Sequence, residues 1–72
     1  MSVTAQKYWR LRRGEHYIDA ELLRDADDAV ELRFSYDGRL VQSRRWTEAE
    51  AALAAAASTR RDLERAGWIH HW

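Results

Sequence analysis

The sequence predicts an α+β fold: an antiparallel meander of three to four strands packed against one C-terminal helix, in the order ββββα. Three observations carry that prediction. Residues 46 to 68, WTEAEAALAAAASTRRDLERAGW, hold a helix start, an apolar stripe and a helix stop. Asp37-Gly38 is a two-residue hairpin signal set between alternating runs. Residues 8 to 23 alternate about a second turn, Gly14-Glu15.

Residues 1 to 6 are polar and read as a loose tail. Tyr8 to Arg13 and His16 to Leu23 then form a hairpin if Gly14-Glu15 is the loop. That register sets Leu11 against Ile18 and Trp9 against Ala20 on one face, and Arg10 against Asp19 and Arg12 against Tyr17 on the other. A helix over residues 15 to 26 is the rival, because EHYIDAELLRDA has fair helix propensity. The alternation of Ile18, Ala20 and Leu22 with Asp19, Glu21 and Leu23 favours the strand. Asp25 to Asp28 reads as an acidic loop without the glycine and distant glutamate of a calcium loop.

Ala29 to Tyr36 alternates cleanly, with Val30, Leu32, Phe34 and Tyr36 on one face. Arg39 to Trp46 follows as the fourth strand. A strict two-residue turn places Val41 beside Phe34 and sends Leu40 and Trp46 to the opposite face. If Trp46 also contacts the helix, a bulge must shift the register somewhere between them.

Thr47 and Glu50 have capping-box spacing, and Trp46 precedes them as an apolar staple. Gly67 suits the left-handed position after the last turn, with Trp68 folding back onto Leu63. Ala49, Ala52, Leu53, Ala56, Leu63 and Ala66 share one face. Most of that face is alanine, so bulk must come from the sheet. The expected core is Leu11, Ile18, Leu22, Val30, Leu32, Phe34, Val41, Leu53 and Leu63, closed by Trp9 and Trp68. Ile69 to Trp72 reads as a second loose tail.

Seventy-two residues make one domain near the lower limit for folding without staples. There is no cysteine, hence no disulfide framework or thiolate metal site. No secretory segment or long apolar run is present, so the expectation is a cytoplasmic chain with no membrane contact. Histidines 16, 70 and 71 have no carboxylate at ligand spacing, and no nucleophile is paired with a base. The three glycines are spent on turns and a cap, which leaves none for a phosphate loop. The sequence therefore points away from an enzyme, a metal, a cofactor or a small-molecule substrate.

Charge is unevenly spread although twelve bases balance twelve acids. Residues 7 to 13 and 39 to 45 are basic without an acid, and residues 15 to 37 carry eight acids against two arginines. In a simple meander the first and fourth strands are the edges. Cross-strand pairing, with Arg10 to Asp19 and Glu31 to Arg44 as examples, and edge protection account for the pattern. The sharper reading is a platform for single-stranded nucleic acid built from Tyr8, Arg10, Arg12, Tyr17, Arg33, Arg39, Arg44 and Arg45.

From Tyr36 to Trp68 the chain has a DG hairpin, a polar strand ending in an aromatic residue, T-x-x-E, an alanine-rich helix and a terminal Gly-Trp. This run resembles short bacterial meander-plus-helix proteins of unknown function. It is also similar to the arm-type DNA-binding domains of phage integrases. That second resemblance implies a small sheet entering the major groove, with Arg33, Arg39, Arg44 and Arg45 as groove and phosphate contacts.

Aromatic excess, zero net charge and the absence of a catalytic constellation favour a non-catalytic protein-interaction module. The partner is another protein or a second copy, met through a sheet edge or through Trp46, Leu40 and Trp72 as the exposed apolar groups. Nucleic-acid binding by strands 7 to 13 and 39 to 45 is the alternative. For the fold itself, truncating Leu63 or Phe34 to alanine is expected to lower stability by about 2–5 kcal/mol, read from the urea midpoint.

Overall fold

The structure, a computed structural model, describes residues 4–24 and 29–71; residues 1–3 of the expected first tail, the acidic loop at 25–28 and Trp72 lie outside the described residues. Four strands form the meander: β1 (Thr4–Arg13), β2 (His16–Arg24), β3 (Val30–Tyr36) and β4 (Arg39–Trp46). They are followed by α1 (Ala49–Arg65) and a two-residue β5 (Ile69–His70). The sheet is antiparallel throughout, in the order β4-β3-β2-β1-β5. The α+β meander-plus-helix class is therefore the observed one, with one strand more than expected.

Both hairpins follow from their turn residues. Gly14 has φ +61, and Asp37 and Gly38 have φ +50 and +84, the left-handed pair that a tight hairpin turn requires. The first hairpin pairs Leu11 with Ile18, Trp9 with Ala20, Arg10 with Asp19 and Arg12 with Tyr17, as the alternation predicts. A register shift between Lys7 and Trp9 leaves Tyr8 as an extra residue in β1.

A second shift resolves the fourth strand. Phe34 pairs with Gln42 and Ser35 with Leu40, so Val41 is the bulged residue. Beyond it Trp46 pairs with Val30 and returns to the helix-covered face. Val41 consequently leaves the expected core; it is 64% exposed. The same shift sets Glu31 against Arg45 rather than Arg44.

The core is assembled around Trp9, which is 1% exposed. Ala20 lies opposite it on β2, Ala56 lies above it on α1, and Phe34 is tilted against it at a centroid separation of 5.9 Å. The alanines create the space that one indole fills. A buried indole N–H needs an acceptor, and Trp9 Nε1 donates to the Ala56 carbonyl at 3.2 Å. Leu11, Leu32 and Trp68 complete the buried cluster, with Ile18, Leu22, Trp46, Ala55 and Leu63 packed on its rim. Trp9 is thus central rather than a lid, and Leu53 and Leu63 are only half-buried.

The helix ends as its sequence dictates and begins differently. Gly67 has φ +103, Trp68 N–H donates to Leu63 O at 3.0 Å and Gly67 N–H to Glu64 O at 3.1 Å, a complete Schellman closure. At the other end the N-cap is Glu48, in extended conformation and with no side-chain capping bond. The expected Thr47–Glu50 capping box does not form. Pairing of Trp46 with Val30 holds the chain in the sheet, and Thr47 and Glu48 are used in turning onto the face.

The described parts of both expected tails are paired strand. Thr4 to Gln6, expected loose, continue β1 and pair with Arg24 to Leu22. Ile69 and His70 pair with Arg12 and Leu11, and His71 N–H donates to Arg10 O at 3.0 Å. The Schellman closure reverses the chain and delivers it to the outer side of β1. β1 is therefore covered only near Leu11 and Arg12, and β4 is an edge uncovered along its whole length. Because Ala52 and Ala56 are fully buried, replacing Ala56 with leucine should overpack the Trp9 site. A loss of about 1–3 kcal/mol is expected, measured as a lower urea midpoint.

Candidate interaction surface

Register divides the side chains between two faces of the sheet, since directly paired residues point the same way. The helix-covered face takes Trp9, Leu11, Leu32, Phe34 and, along β4, Arg39, Gln42, Arg44 and Trp46. The open face takes Arg10, Arg12, Tyr17, Asp19, Glu31, Arg33 and, along β4, Leu40, Ser43 and Arg45.

Much of the open face is satisfied internally. Asp19 is 6% exposed, receives Arg10 Nε at 2.6 Å and Arg10 Nη2 at 3.3 Å, and has Lys7 Nζ at 3.8 Å. These bonds push the Arg10 guanidinium above its ordinary value. Arg10 also lies 5.3 Å from the Tyr17 ring, and Tyr17 meets His71 edge-on at 5.0 Å. Glu31 receives Arg33 at 3.1 and 3.2 Å and the Ser43 hydroxyl at 2.6 Å, which hold its carboxyl below its ordinary 4.5.

Asp37 ties the second turn to β2. Its carboxylate contacts His16 Nδ1 at 2.7 Å and accepts from Tyr17 N–H at 2.8 Å, while its own N–H donates to Tyr17 O at 2.9 Å. The His16 contact first, and the Tyr17 N–H second, lower the Asp37 pKa from its ordinary 3.8. His16 stacks on Tyr36, whose ring meets Trp68 edge-on. Sequence spacing gave no sign of this clamp, which joins residues 21 positions apart.

β4 has a different character. From Arg39 to Arg45 every residue is exposed, and Leu40 and Val41 are 55% and 64% exposed. Arg44 lies over the Trp46 ring at 4.2 Å, a cation–π stack that fixes the guanidinium at the strand end. Of the three apolar residues singled out from sequence, Leu40 is exposed and Trp46 is half-buried against the core. The Trp46 indole N–H is buried without a hydrogen-bond partner among the described residues.

The basic and aromatic set does not form one platform. Arg10, Arg12, Tyr17, Arg33 and Arg45 are on the open face; Arg39 and Arg44 are on the other. Tyr8, at the β1 bulge, lines a recess of about 240 Å3 with Gln6, Leu22, Arg24 and Leu53. Among the described residues no group of three or more His, Asp or Glu could hold a metal ion, and no helix is long and apolar enough to cross a membrane.

The comparisons with known proteins are blank. No family model, curated protein or solved structure matches the chain.

The two depressed carboxyls give a pH dependence with a definite sign. A folded pKa below the unfolded one contributes stability that is fully present above the unfolded value and lost as pH falls through the folded value. Acid titration of stability should thus show a loss below 4.5 from Glu31 and below 3.8 from Asp37. Asp37→Asn and Glu31→Gln are expected to flatten the fall in urea midpoint over that acid range relative to wild type.

Proposed function

We propose that the chain is a non-catalytic protein-interaction module that accepts an extended segment along its β4 edge. One observation carries this reading: β4, an edge strand with no outer neighbour, bears Leu40 and Val41, the most exposed large apolar side chains among the described residues. An open edge offers main-chain hydrogen bonds for affinity, and its alternating side chains select the partner. Apolar groups exposed side by side favour a contact that covers them.

A second copy is the poorer occupant of this edge. Residues 39 to 46, RLVQSRRW, hold three arginines and no acid, so two β4 strands laid together confront like charges. Nucleic acid is less supported as well. Arg10 and Arg33 are committed to Asp19 and Glu31, and the basic residues are divided between two faces.

Selection from a random short-peptide library on the immobilised chain tests the reading. Selected peptides should perturb the backbone amides of residues 39 to 46, and the double variant Leu40→Lys, Val41→Lys should weaken them about tenfold by fluorescence anisotropy. Binders that map only to other elements, or no binders at all, would count against it.

A further inference from the structure

We infer that the segment accepted at β4 is an acidic stretch of another protein, with two adjacent carboxylates and an apolar residue about four positions away. This rests on β4 being the docking edge and adds what the partner must look like. The strand is chemically polarised along its length. After Arg39, Leu40 and Val41 stand near its start, and Arg44 and Arg45 stand near its end, with Gln42 and Ser43 between them.

Arg44 and Arg45 also lie on opposite faces. Arg44 pairs with the core residue Leu32, and Arg45 pairs with Glu31 on the open face. An added strand alternates in the same way, so its successive residues come beside one arginine and then the other. Two consecutive acids match that pair. The apolar residue then falls beside Leu40 and Val41.

The two arginines are not equivalent. Glu31 already feels the charge of Arg45, together with bonds from Arg33 and Ser43. An incoming carboxylate must share Arg45 with it. Arg44 is held over Trp46 by stacking, and that placement reduces the freedom lost when a carboxylate binds. Arg44 is therefore the main determinant of charge selection, and Arg39 adds a third positive group at the far end. Exposed charges of this kind set register and choice of partner more than affinity.

The library peptides decide the matter. The expected result is enrichment of adjacent Asp or Glu residues with an apolar residue on one side. In fluorescence anisotropy, Arg44→Glu should weaken a selected acidic peptide about tenfold and strengthen its lysine-substituted counterpart. Arg44→Gln, which removes the charge with little change in length, should give an intermediate loss. An unchanged amide spectrum outside β4 confirms that each variant is folded. Peptides that bind β4 without acidic enrichment, and that ignore Arg44→Glu, overturn this inference and leave the β4 reading standing. Failure of every peptide to touch β4 overturns both. Displacement of a bound acidic peptide by a single-stranded oligonucleotide at physiological salt overturns the assignment of a protein partner.

Discussion

The fit of one indole between two alanines governs this fold. Trp9 can be buried under the helix only because Ala20 and Ala56 leave room, and its N–H is satisfied by a helix carbonyl. Large apolar groups cannot be buried on both sides of so thin a slab. Placing the bulk on the sheet and the small residues on the helix lets the two layers approach and still fill the interior. At Ala52 and Ala56, the two buried positions of α1, alanine is a packing requirement before it is a helix propensity.

That central contact leaves the periphery of the sheet thinly covered. Leu63 reaches the rim as a half-buried group, Leu53 is half-buried outside the cluster, and on β4 only Trp46 is partly covered. The half-burial of Leu63 places its truncation toward the mild end of large-to-small changes, and the burial of Phe34 places its truncation toward the severe end. The same geometry separates a self-contained centre from an edge with exposed apolar groups.

Local chemistry was legible in the sequence; long-range geometry was not. The first hairpin could be read residue by residue because apolar partners and charge partners agreed on one register. Asp37-Gly38 and Gly67 were legible because few residues adopt positive φ without strain. The bulges at Tyr8 and Val41 depend on how the pairings of the whole sheet are reconciled, which no local window contains. Leu40 and Val41 did carry a hint, since two neighbouring apolar residues in a strand cannot both face one core. β5 was hidden for a different reason. Ile69-His70 has no strand pattern of its own, and it forms because the helix exit aims it at unpaired groups on β1. The Thr47 cap failed because a spacing rule cannot tell where the preceding strand releases the chain. For the surface, exposure of Leu40 was foreseen, but the division of the arginines between faces followed only from the placement of the bulge.

The displaced residue at Val41 has a wider effect. It interrupts the straight run of β4, so that Gln42 to Trp46 is the longest uninterrupted piece of that rim. A landing strip this brief can hold a visitor by only a few main-chain contacts. Encounters there will be short-lived and readily exchanged, and the kink denies neighbouring molecules the long flat border from which fibres grow.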